Sequence, residues 1–188
     1  AYVAQETPPL PRAALDYATR FAAALFAGAA LPTDGHAQAR RNVLAIGWDI
    51  ADLSVIEARL AVIADKLGSI DILVNNTGGP PPTPASGQSA ETWSKYFDMM
   101  VRSVIAVTDA VLPGMKERGW GRVITSTSSG VVAPIPNLGI SNSLRLALVG
   151  WSKTLAREIG RDGVTANIVL PGRIATGRIT FLDEQKAK

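Results

Sequence analysis

From Arg12 to Ala30 the residues Leu15, Ala18, Ala22, Leu25, Phe26 and Ala29 recur at three- and four-residue spacing. That pattern predicts an amphipathic helix, closed by Pro32 and Gly35. Between Asn42 and Trp48 the chain is apolar with no polar alternation, which suits a short strand covered on both faces of a sheet. Ser54-Val55-Ile56-Glu57 has the form of a capping box in front of a helix that runs to Leu67 and stops at Gly68. A second apolar run, Ile70 to Val74, predicts another buried strand. It empties into a loop, Asn75 to Gln88, where Pro80, Pro81, Pro82 and Pro84 exclude both helix and ladder pairing.

A long helix is expected from about Ala90 to Leu112, with Trp93, Phe97, Met100, Val101, Val104 and Val111 on its inner side. A strand at Arg122–Ser126, a helix at Ile140–Gly160 and a strand at Thr165–Leu170 follow, the last ending at Pro171-Gly172. Strands separated by helical crossovers must pair in parallel, with right-handed connections. The fold class is therefore α/β, a doubly wound parallel sheet with helices on both faces. No repeat or linker divides residues 1–188, so one domain is expected. Ligands sit at the carboxyl ends of the strands in such sheets. Those ends carry Trp48-Asp49, Asn75 to Gly79, Ser126 to Gly130 and Pro171-Gly172.

Composition narrows the classes. With 47% hydrophobic and 19% charged residues the chain is globular rather than disordered. The net charge of +3 is spread thinly and never exceeds a pair such as Arg40-Arg41, so no nucleic-acid partner is expected. Cysteine is absent and His36 is the single histidine, which implies no metal centre. The apolar stretch Phe21–Leu31 is too short to span a bilayer, and the proline-containing leader lacks the basic start of a signal peptide. A soluble, cytoplasmic protein with no membrane partner is the expectation.

Three segments in register then carry more than any one alone. Asp71-Ile72-Leu73-Val74-Asn75-Asn76-Thr77-Gly78, Gly121-Arg122-Val123-Ile124 with the serines behind it, and Pro171-Gly172-Arg173-Ile174-Ala175-Thr176 together resemble the short-chain dehydrogenase/reductase family. Gly150-Trp151-Ser152-Lys153-Thr154-Leu155-Ala156-Arg157-Glu158 is similar to that family's central helix, especially in its 3-oxoacyl carrier-protein reductase-like members. The likeness covers roughly residues 42 to 180. It implies a Rossmann-like fold, NAD or NADP as cofactor, a small carbonyl or alcohol substrate, and a homodimer or homotetramer. By the same resemblance Asp49 and Ile50 lie at the adenine end of the cofactor. Asn75, Thr77 and Gly78 lie along it, and Pro171, Gly172, Ile174 and Thr176 lie at the nicotinamide end. Helices 90–112 and 140–160 form the dimer surface, with Val107, Leu148 and Trp151 as candidate outward residues.

The departures are as informative. Family members use a tyrosine whose proton exchange is eased by a lysine four residues on, and a serine that holds the substrate oxygen. Gapless alignment places Ser128 at the serine, Ser141 at the tyrosine, Arg145 at the lysine and Met100 at the asparagine of the proton relay. Arginine keeps its positive charge and does not give up its proton, although it can clamp a ribose or an anion through two donors. Two readings of the pair stand: Ser128, Ser141 and Arg145 converge in an altered site, or Ser141 caps its helix and Arg145 is a solvated surface group. The opening Ala1-Tyr2-Val3-Ala4 resembles the family's second strand, so the first strand with its glycine-rich turn is expected to be missing here, as are the final helix and strand. An oxidoreductase with a rearranged proton donor competes with a catalytically silent relative that binds nucleotide or a partner, and with a fragment that has no function.

Overall fold

The computed structural model describes residues 44–172. Helix α1 (Ile56–Leu67) leads into a parallel three-stranded sheet of β1 (Ile72–Asn75), β2 (Gly121–Ser126) and β3 (Val164–Val169), in that spatial order. The β1–β2 crossover is α2 (Ala90–Phe97), a π turn (Asp98–Arg102) and α3 (Ser103–Glu117), while α4 (Gly139–Ile159) joins β2 to β3. The expected alternation and the parallel direction both hold.

One expected strand does not form among the described residues. Leu44–Trp48 is irregular, and half-buried and exposed residues alternate along it. A strand exists where a neighbour takes its N–H and C=O groups, and no strand stands beside this run among the described residues. Other boundaries shift for visible reasons. Asp52, not Ser54, opens the helical segment: its carboxylate accepts from the Ser54 N–H at 3.1 Å at the head of a short 3-10 turn, Leu53–Val55. Gly68, at φ 85, ends α1 as expected. β1 begins at Ile72 because Arg118 takes the Ile70 carbonyl (2.8 Å) and the Asp71 carboxylate (2.9 Å). The helix expected to end at Leu112 continues through Pro113 to Glu117. Pro113 and Asp109, whose carbonyl loses its N–H partner, are both exposed, and buried Leu112 and Met115 hold the last turns down.

The core lies on one face of the sheet. Leu73, Val123 and Val164 pack there against Ile56 of α1, Val107, Val111 and Met115 of α3, and Leu155 and Ile159 of α4. Side chains alternate across a strand, so Val74 and Val169 point to the opposite face, where they are 39% and 48% exposed. The helix expected over 12–30 lies outside the described residues. A second cluster joins Met100, Val101 and Val104 to Ile140, Leu144 and Leu148. Val107 and Leu148 were expected on outer faces, yet both are interior at 2% and 1% exposed, and Trp151 packs between the two clusters. α3 and α4 each meet both the sheet and a neighbouring helix, so their apolar stripes are wide. Phe97, expected inside, is 40% exposed. The π turn that follows it adds a residue to the helical turn and rotates the stripe between α2 and α3.

Candidate active site

Parallel register sets Asn75 beside Thr125 and Ser126 beside Val169, so all three strands end along one edge of the sheet. Asn75 is buried. Its amide donates to Thr108 Oγ1 on α3 at 3.1 Å and to Thr125 Oγ1 on β2 at 3.5 Å. Thr108 donates its own proton to the Val104 carbonyl at 2.7 Å, which leaves a lone pair for Asn75. Asn75 thus ties the end of β1 to both a neighbouring strand and the helix beneath.

Arg145 stands at the centre of this edge and is 9% exposed. Its Nη1 donates to the carbonyls of Ser126 (3.4 Å) and Thr127 (3.2 Å), and its Nη2 to that of Gly78 (3.3 Å). Its Nε donates to Ser141 Oγ at 3.4 Å, four residues back on the same face of α4. One cation therefore joins the loop after β1 to the loop after β2. The surface reading of Arg145 is overturned by this burial. The capping reading of Ser141 fails as well, because Ser141 lies inside α4, is 6% exposed, and the N-cap residue is Leu138. The two-donor grip on an anion envisaged for Arg145 is preceded by these backbone carbonyls.

Ser128 is half-buried and caps the short 3-10 turn Ser129–Val131, its Oγ accepting from the Gly130 N–H at 3.1 Å. That turn abuts α4: a Cβ at Gly130 would lie 2.5 Å from Oδ1 of Asn142. Ser128 thus heads a turn that meets α4 at Asn142, the residue after Ser141, and among the described residues Ser128 and Ser141 exchange no hydrogen bond. Met100, aligned with the relay asparagine, is fully buried among Val101, Val104 and Ile140, an apolar thioether where a relay needs a polar group. Thr77 is half-buried and Gly78 exposed, while Pro171 and Gly172 follow β3, half-buried and exposed in turn. Asp49 and Ile50 form the turn ahead of α1, where the Asp49 carboxylate accepts from the Ala51 N–H at 3.0 Å. Among the described residues, none of their hydrogen bonds reaches the strand ends. Ile174 and Thr176 lie outside the described residues.

Sequence reasoning passed over Thr83, Thr108, Thr125 and Thr127. Thr108 interrupts an apolar run and Thr125 ends one, which is a weak signal of a buried hydrogen bond, whereas Thr127 is masked by the hydroxyl-rich stretch Thr125–Ser129. Thr83 is the sole non-proline between Pro80 and Pro84. No described helix is long and apolar enough to cross a membrane.

Residues 22–187 match the family model described as short chain dehydrogenase. The 3-oxoacyl-[acyl-carrier-protein] reductase of Vibrio cholerae is 35% identical over 147 residues, covering 77% of this chain and 59% of that protein. The Escherichia coli reductase of the same name is 35% identical over 142 residues, with 74% and 57% covered. Among solved structures, L-sorbose reductase from Gluconobacter frateurii, complexed with NADPH and L-sorbose, is 31% identical with a TM-score of 0.70, covering 78% of this chain and 56% of that one. A gluconate 5-dehydrogenase from Burkholderia cenocepacia, in complex with NADP and tartrate, is 26% identical with a TM-score of 0.68, covering 75% and 55%. The chain spans less than two thirds of the length of each of these relatives. The parallel α/β architecture, the order of strand-end motifs and the match over residues 22–187 agree, and the chain belongs to the short-chain dehydrogenase family.

Proposed function

We propose that this protein is an oxidoreductase that moves a hydride between NAD or NADP and a small carbonyl or alcohol substrate, with Ser141 and Arg145 replacing the usual tyrosine and lysine. The observation that carries this reading is the buried Ser141–Arg145 pair at the carboxyl ends of β1 and β2, where open α/β sheets bind ligands. The strand ends leave room for a flat dinucleotide to approach the backbone, since a Cβ at Gly78 or Gly172 would meet nothing within 4 Å. Asp49 and Ile50 would hold its adenine end, Asn75, Thr77 and Gly78 its middle, and Pro171, Gly172, Ile174 and Thr176 its nicotinamide end. When bound, the nicotinamide supplies the hydride acceptor or donor. Ser128 Oγ holds the substrate oxygen. Ser141 accepts from Arg145 and keeps its own proton to donate toward the substrate or a water. In reduction, the proton that balances the hydride comes from solvent through a water held by Ser128 and Ser141. Arg145 adds a fixed positive charge near the developing alkoxide and exchanges no proton. The same reading makes the protein a homodimer or homotetramer.

A second reading, a silent relative that binds nucleotide or a partner, is favoured by two observations. The Arg145 donors are directed at backbone carbonyls, and Met100 leaves the relay position apolar. The experiment measures NADH and NADPH binding by fluorescence, and turnover of a small 3-oxoester, in the full chain. General acid–base groups contribute about 10²–10⁴-fold, so turnover slower than in tyrosine-bearing relatives by about that factor, with nucleotide bound, supports the first reading. The double variant Ser141→Tyr/Arg145→Lys is expected to raise activity. Bound nucleotide with unchanged activity in that variant favours the silent relative.

A further inference from the structure

We infer that Thr83 is a positioning residue that caps the first turn of α4 from the loop after β1, and so sets where Ser141 and Arg145 stand in the crevice. The inference rests on the catalytic reading of that pair.

The first N–H groups of a helix need acceptors from outside it. Leu138, the N-cap of α4, makes no side-chain cap bond. Thr83 supplies the acceptors from a distant part of the chain. Its carbonyl accepts from the Gly139 N–H at 2.8 Å, and its Oγ1 accepts from the Ile140 N–H at 3.4 Å. Its own N–H donates to the Asn137 carbonyl at 2.8 Å, and Thr83 and Leu138 form an isolated parallel bridge. Thr83 is buried. Proline has no N–H and a fixed φ, so within Pro80–Pro84 Thr83 alone can make this clasp, and its neighbours hold it stiffly. The approach is close enough to require glycine at 139: a Cβ there would meet Ala85 Cα at 2.5 Å and Ala85 N at 2.8 Å. Those are backbone atoms, which cannot step aside as a flexible side chain would.

The loop after β1 is therefore fastened to α4 twice, by Arg145 at the Gly78 carbonyl (3.3 Å) and by Thr83 at the helix start. Ser141 lies between the two fastenings along the helix. It cannot slide along the axis without breaking one of them, and a displacement of about 1 Å can cost about 10²-fold in rate.

Two variants of the full chain test this, with NADPH binding by fluorescence, steady-state reduction of a small 3-oxoester, and amide hydrogen exchange over residues 139–145. Gly139→Ala raises intrinsic helix propensity while pushing α4 away from Ala85. The expected result is NADPH affinity within about twofold of the parent, with kcat lowered about tenfold or more and KM little changed. Thr83→Val keeps the backbone bridge and removes Oγ1, so protection of the Ile140 amide should fall about fivefold, with Thr83→Ser restoring it. Unchanged kcat in Gly139→Ala, or unchanged Ile140 protection in Thr83→Val, overturns the inference. If the parent itself shows no turnover, the proposed function fails instead, and the exchange measurement alone decides the clasp.

Discussion

Replacing Arg145 by methionine removes the guanidinium and keeps much of the side-chain length. Three backbone carbonyls, of Gly78, Ser126 and Thr127, then lose a charged donor, and Ser141 Oγ loses its Nε partner. Hydrogen bonds to charged groups contribute about 1.5–3 kcal/mol each, but those here span 3.2–3.4 Å and belong at the weak end. Taking about 1 kcal/mol for each carbonyl gives about 3 kcal/mol. Water reaching the half-buried Ser126 and the exposed Gly78 offsets part of this, so the net loss should be about 2 kcal/mol. With an m-value of about 2 kcal/mol/M in urea, the midpoint should fall by about 1 M. Arg145→Lys, which can reach some but not all of the carbonyls, should lose about half as much. The assay is equilibrium urea denaturation followed by tryptophan fluorescence at low and high salt. An Arg145→Met midpoint within about 0.2 M of the parent would falsify the assignment of Arg145 as the tie between the two loops.

Three further outcomes follow from particular contacts. Asn75→Ala and Thr108→Val should each cost about 1–2 kcal/mol, and their double variant should show a coupling of about 0.5–1.5 kcal/mol, because the Asn75–Thr108 bond is one link of a buried chain; additive losses in urea denaturation would contradict that chain. Pro113→Ala should stabilise the protein by about 1 kcal/mol, seen as a rise of about 2–4 °C in melting temperature, since the exposed Asp109 carbonyl regains an N–H partner; a lower melting temperature would show that the proline ring packs favourably. Glu91, in the first turn of α2, is held below its ordinary pKa of 4.5 by hydrogen bonds from its own backbone N–H and from Ser89. A carboxylate depressed in the folded state stabilises above its unfolded value and loses that contribution as pH falls through the folded one, so Glu91→Gln should be less stable than the parent at neutral pH and indistinguishable from it in acid.

What the sequence made legible was what local chemistry controls. Gly68 ends α1 because its φ of 85 suits glycine, and a glycine after an apolar-periodic run is visible in any sequence. The β2 and β3 runs fall within one residue of their expected bounds because short segments rich in β-branched residues, bounded by Gly119 and Gly130 and by Gly163 and Pro171-Gly172, allow little else. Asp52 displaced Ser54 as the cap because an Asx side chain just ahead of a serine competes for the same N–H groups. The part of the candidate site that stayed hidden depends on backbone acceptors. Arg145 is anchored by carbonyls of Gly78, Ser126 and Thr127, and a carbonyl leaves no mark in the residue that bears it. Thr83 was hidden for the same reason, and the strand expected at 42–48 because pairing is a property of two segments at once.

Under the proposed reading, in which Ser141 and Arg145 stand for the family's tyrosine and lysine, the pair has a physical logic that can be tested. A lysine ammonium is a single nitrogen, whereas the planar guanidinium fork can address the Gly78 and Thr127 carbonyls at once while turning Nε toward Ser141. That last contact needs a short side chain at 141, because a phenol would carry its oxygen beyond the reach of Nε and press its ring on a site that is 6% exposed. Ser141→Tyr alone should therefore cost about 1–3 kcal/mol from overpacking and a lost acceptor. Arg145→Lys alone should cost about 1 kcal/mol from carbonyls left without donors. Combined, the slimmer lysine makes room for the ring and can donate to the phenol oxygen, so the double variant should lose about 1 kcal/mol less than the sum. Urea denaturation of the four proteins measures this coupling. Additivity within about 0.3 kcal/mol would mean that Ser141 and Arg145 changed independently and that their 3.4 Å contact does not hold them as one unit.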